Sequence, residues 1–69
     1  DMWKVVVIIC ALGNPCVVFE QDPMVYYKDY NDCIKVAQEK HQLLGQSMLM
    51  YGYTVESSEF KCIQDPNSL

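Results

Sequence analysis

The residues best suited to chemistry in this chain are four cysteines, Cys10, Cys16, Cys33 and Cys62, among 69 residues. Thiols offer metal ligation, redox exchange or cross-linking. A tetrahedral zinc site would need all four together, and neither close pair has the C-x-x-C spacing that such sites favour. A thiol–disulfide catalyst would place C-x-x-C at a helix start, and no such motif occurs. Cross-linking remains, and four cysteines allow three pairings. His41 is the single histidine. With no second histidine and no carboxylate at i±4, it reads as a core or interface histidine making one hydrogen bond. Ser57 and Ser58 have no histidine nearby in the chain, so serine-nucleophile chemistry is not expected. Asp32, Lys35 and Glu39 sit at helical spacing and read as solvated surface pairs. The expectation is a non-enzymatic protein with no cofactor and no metal.

Composition narrows the class further. Half the residues are hydrophobic (51%), which excludes a disordered chain. The length makes one domain, residues 1–69, near the lower limit for a self-sufficient core, so disulfides or a partner chain are expected to help. Five lysines, no arginine and nine acids give a net charge of −4. A nucleic-acid binder would show a basic stripe and use arginine, so nucleic acid is not expected as a partner. The same balance argues against an anionic membrane surface, and no membrane partner is expected. The apolar run ends at Leu12, far short of the ~20 residues of a membrane span.

The longest apolar run, Val5-Val6-Val7-Ile8-Ile9-Cys10, is apolar on both strand faces and belongs at the centre of a sheet. It predicts a strand from Trp3 to Cys10, with Gly13-Asn14-Pro15 as a turn and Cys16 to Phe19 as the returning strand of a hairpin. Met2-Trp3-Lys4 and Val5 to Leu12 also resemble the n- and h-regions of a signal peptide, but removing them would delete the best strand. Met2 reads as the native start, with Asp1 ahead of it.

Asp22-Pro23 ends the second strand. Asp29 reads as a helix N-cap with Asp32 three residues on. Tyr30, Ile34, Ala37, Leu44, Met48 and Tyr51 recur at helical spacing, with His41 in the gap, and Gly52 suits the position after the helix, which is predicted from 30 to 51. Leu44 and Met48 should be buried against the sheet, and Glu39 and Gln46 exposed. The third strand spans roughly Tyr53 to Ile63. Val55 is out of phase with Phe60 and Cys62, and a bulge at Ser57-Ser58 would reconcile them. Asp65-Pro66-Asn67 ends the fold, and the last residues are expected to fray.

The order is strand, strand, helix, strand, an α+β fold. If strand one runs up, strand two runs down, the helix up and strand three down. Strand three then pairs antiparallel with the free edge of strand one, giving a sheet of order 2-1-3 with one helix on one face. This arrangement brings Cys33 at the helix start near Cys62 and sets Cys10 beside Cys16 across the hairpin. A Cys33–Cys62 disulfide is expected. Cys10 and Cys16 are a second possible pair, although two small buried thiols are the preferred reading there.

The pattern resembles that of short uncharacterised bacteriophage and proteobacterial proteins. These open with a strand rich in tryptophan and valine, continue with a second strand and a helix bearing Cys-x-x-Ala, and finish with a strand ending Cys-x-x-Pro. Trp3 to Ile9, Cys33 to Ala37 and Cys62 to Pro66 are similar, with one more residue between the paired positions. The resemblance implies the ββαβ order and the Cys33–Cys62 bond, and it carries no activity.

One helix covers one sheet face. The Val6, Ile8 and Cys10 set is expected to face it, with Lys4 snorkelling at its end. Trp3, Val5, Val7 and Ile9, with Val17 and Phe19, would then form an exposed apolar interface. The expected function is a phage-related interaction module that forms a homodimer through that face or docks on a host or phage protein. The alternative is a small disulfide-containing ligand-binding or redox protein. The clustered tyrosines (Tyr26, Tyr27, Tyr30, Tyr51, Tyr53) fit either an interface or the ends of a core. The host cytoplasm or virion is the expected location, with a secreted or periplasmic site as the alternative.

Overall fold

The computed structural model describes residues 2–67. The readings of Asp1 and of the last two residues lie outside the described residues. The elements are β1 (Met2–Ala11), β2 (Val17–Glu20), α1 (Tyr30–Met50) and β3 (Val55–Asp65). They form an α+β fold, a three-stranded sheet of order β2-β1-β3 with both pairings antiparallel. β1 takes the centre because its side chains are apolar on both faces.

Each element boundary has a local cause. Gly13 adopts φ +79, and the Asn14 amide donates to the Ala11 carbonyl at 3.1 Å, closing a turn with glycine at the position that favours a left-handed residue. The Asp29 side chain caps α1 by accepting from the Asn31 amide at 2.8 Å. At the other end Gly52 (φ +87) donates to the Leu49 carbonyl at 3.0 Å and Tyr53 donates to Met48 at 3.0 Å. These two bonds make a Schellman motif, which fixes the glycine as the helix terminator. Between β2 and α1, after a cis Asp22–Pro23 bond, Tyr27 exchanges two 2.8 Å backbone bonds with Trp3 and so extends the sheet edge beyond β2.

The helix packs over β1 and β3 and does not reach β2. Val5, Val7, Ile9, Cys33 and Ala37 are the buried centre of the core, with Trp3, Phe60, Cys62 and Val55 packed against them. Leu44 and Met48 face this layer and Glu39 and Gln46 are exposed, as the helical spacing predicts, but Leu44 and Met48 are half-buried rather than buried because the helix does not extend over β2.

The expected face of β1 is reversed. The set Trp3, Val5, Val7 and Ile9 lies under the helix, and the Lys4, Val6, Ile8 and Cys10 set lies on the bare side. The register explains this. Val5 is opposite Cys62 and Val7 opposite Phe60, and directly opposed residues share a face. Cys62 is bonded to Cys33 of the helix, so the Val5 face must be the helix face. Lys4 does not snorkel past the helix. It pairs with Glu20 on the adjoining strand at 3.1 Å. The bulge also moves. Cys10 opposes Ser57 and Ala11 opposes Val55, so the extra residue is Glu56 rather than Ser57-Ser58, and Val55 returns to the helix face.

Candidate functional site: the uncovered surfaces of the sheet

Both candidate disulfides are formed. Cys33–Cys62 joins the first turn of α1 to β3 with Cα atoms 6.3 Å apart, and Cys33 is 0% exposed. Cys10–Cys16 closes the hairpin loop with Cα atoms 4.1 Å apart. The preferred reading of Cys10 and Cys16 as buried thiols is therefore wrong. Cys16 is exposed, and the antiparallel register places the two residues beside each other across a short loop. Among the described residues no group of three His, Cys, Asp or Glu side chains is placed to hold a metal ion.

The bare face of the sheet is a mixed surface. Its rows follow from the register: Val18, Ile8 and Glu59 lie side by side, then Glu20, Val6 and Lys61, then Lys4 beside Ile63. Val18 is 59% exposed and Ile63 39%, whereas Val6, flanked by Glu20 and Lys61, is buried. The expected interface residues Trp3, Val5, Val7 and Ile9 are absent from this face because they form the core. The Lys4–Glu20 hydrogen bond raises the lysine pKa above its ordinary value. Near this edge the Tyr26 hydroxyl donates to Asp65 at 3.1 Å, a bond that raises the tyrosine pKa.

A groove runs along the other side of β2, where the helix stops short. Its lower part encloses about 400 Å³ between Val7, Phe19, Pro23, Val25, Lys40 and Leu44. Its upper part, about 330 Å³, lies between Ile9, Val17, Phe19, Met48 and Tyr53. Val17 and Phe19 share the face of Val7 and Ile9 as expected, but that face is the helix side and not the bare one, so they border a groove rather than an open patch.

On the β3 side, His41 Nε2 lies 2.7 Å from Ser58 Oγ, with its ring 5.1 Å from that of Phe60. The single hydrogen bond expected of His41 is present. Ser58 does have a histidine partner, contrary to the sequence reading, because helix and strand residues 17 positions apart meet across the layer. The contact resembles half of a nucleophile–base pair, but no carboxylate among the described residues hydrogen-bonds the histidine ring as a third member. The arrangement links α1 to β3. Tyr30 meets Trp3 edge to face at 4.9 Å, and the Tyr27 hydroxyl bonds the Gln21 side chain. Tyr51 and Tyr53 stand exposed at the far end of the molecule. No protein-family model, curated protein or solved structure matches this chain.

Proposed function

We propose that this chain is a small non-enzymatic interaction module that pairs with a second copy of itself through the bare sheet face. The observation that carries the reading is the charge pattern of that face. Lys4, Lys61, Glu20 and Glu59 balance one another around the Val18, Ile8, Val6 and Ile63 side chains, although the chain as a whole is at −4. Face-to-face packing about a two-fold axis along β1 sets Glu20 of each copy over Lys61 of the other. A two-fold axis across the strands sets Lys61 over Glu59. The axis across the strands pairs opposite charges around an apolar centre and suits an isologous contact, whereas the axis along β1 also sets Lys4, which lies on it, against the Lys4 of the other copy. The phage setting rests on the sequence pattern alone, and the two disulfides suit an oxidising compartment.

Sedimentation equilibrium at micromolar concentration tests the pairing. The wild-type chain should be a dimer and Ile8→Lys a folded monomer. A soluble wild-type monomer would refute it. A second reading, ligand binding, is favoured by the groove beside Phe19 and predicts that an apolar small molecule protects Phe19 and Leu44 resonances.

A further inference from the structure

We infer that the end of the molecule formed by the hairpin turn and the helix C-terminus docks into the interfacial region of a zwitterionic lipid bilayer. The molecule is elongated, 38 × 19 × 19 Å. At one end β1 and α1 finish together, and the Leu12 amide donates at 2.8 Å to the carbonyl of Thr54, in the segment that leads from the helix into β3. This tip carries the most exposed apolar side chains of the described residues: Met50 is 86% exposed, Tyr51 84%, Leu49 64% and Leu12 62%. Tyr53 lies beside them.

Three features select a lipid surface. The tip is almost free of charge. No Asp, Glu, Lys or Arg occurs from Val5 to Phe19 or from His41 to Val55, and the charged side chains resume at Glu56 on β3 and at Lys40, midway along the helix. The −4 balance therefore resides in the body, and the tip asks for no counter-charge from its partner. A zwitterionic surface has none to give. Next, tyrosine beside leucine and methionine is the mixture that settles at the boundary between headgroups and acyl chains, where a ring buries its face and keeps its hydroxyl wet. Lastly, the tip is held rigid. Gly13 closes one turn, the Schellman bonds at Gly52 and Tyr53 close the other, and the Cys10–Cys16 bond fastens the base of the hairpin. Such a tip loses little conformational freedom when it inserts. No helix among the described residues is long and apolar enough to cross a membrane, so the docking is peripheral. The inference is independent of the pairing of sheet faces.

Flotation with phosphatidylcholine vesicles tests it. The wild-type chain should float with the vesicles, and less of it should do so when phosphatidylserine replaces part of the phosphatidylcholine, because the body is acidic. Met50→Glu and Leu12→Glu lie on separate turns, and each should lower partitioning by about tenfold or more, the loss expected when one large apolar side chain no longer inserts. A spin-labelled lipid should broaden the resonances of residues 12 and 49–53 and leave those of residues 28–35 sharp. No flotation at millimolar lipid would overturn the inference, as would flotation that both variants retain in full. Self-association without lipid that Met50→Glu abolishes would assign the tip to a protein contact instead.

Discussion

Cys33 and Cys62 are bonded across the helix–sheet layer, and through the pairing of Cys62 with Val5 this bond identifies the face of β1 that lies beneath the helix. The two disulfides are unequal in surroundings. Cys33 is fully buried, while Cys16 stands exposed in a surface loop. Thiol–disulfide exchange requires an attacking thiolate to reach a sulfur.

Mild reductant under native conditions should therefore open Cys10–Cys16 first. Alkylation followed by peptide mass mapping should find label on Cys10 and Cys16 before any appears on Cys33 or Cys62. Simultaneous labelling of all four would mean that the chain opens globally before either bond is attacked. Replacing Cys33 and Cys62 with alanine should cost about 3–4 kcal/mol, the chain-entropy value for a loop of this size.

Adjacent positions on β1 should respond in opposite ways to the same substitution. Val7→Lys places an unpaired ammonium under the helix and should cost at least about 3 kcal/mol, enough to unfold much of so small a domain. Ile8→Lys adds a charge to a face that already carries them and should leave the far-ultraviolet circular dichroism and the urea midpoint nearly unchanged once dimer dissociation is allowed for. Similar losses for both would mean that the faces are not distinguished as the Cys62–Val5 register requires.

The pH dependence should lie on the alkaline side. Lys4 and Tyr26 both hold their protons more tightly in the folded chain, Lys4 chiefly through its hydrogen bond to Glu20 and Tyr26 chiefly through its hydrogen bond to Asp65. A raised folded pKa gives stability that is complete below the unfolded value and is lost as pH rises through the folded one. Urea midpoints should thus hold steady to about pH 9 and fall above about pH 10. Tyr26→Phe should flatten part of that fall. An unchanged slope in Tyr26→Phe would remove this bond from the alkaline transition.

Ser58→Ala removes the hydrogen-bond partner of His41 at the surface of the helix–strand layer and should cost no more than about 0.5–1.5 kcal/mol. The same variant separates a structural contact from a reactive one. Wild-type protein should show no Ser58 adduct after exposure to a fluorophosphonate, read by mass spectrometry, because nothing orients His41 as a base. A stable adduct that Ser58→Ala abolishes would make the pair catalytic.

Local patterns were legible in the sequence because their causes are local. The double-faced apolar run marked β1 as central, Asp29 and Gly52 marked the helix ends, and the strand directions that follow brought Cys33 to Cys62. Only the tertiary structure decided which face of β1 the helix covers. Lys4 is the one charged residue of the two sets, and the sequence allows it to snorkel past the helix, whereas it pairs with Glu20 on the bare face; Val6 and Ile8 otherwise match Val5, Val7 and Ile9 in hydrophobicity. The choice rests on the register of β1 against β3, a pairing between residues 63 apart at the Met2–Asp65 end and 44 apart at the Ala11–Val55 end, where a bulge at Glu56 returns Val55 to the helix face. The same long-range geometry brought Ser58 to His41, left β2 without a helix above it, and gathered two uncharged stretches, distant in the chain, into one exposed tip.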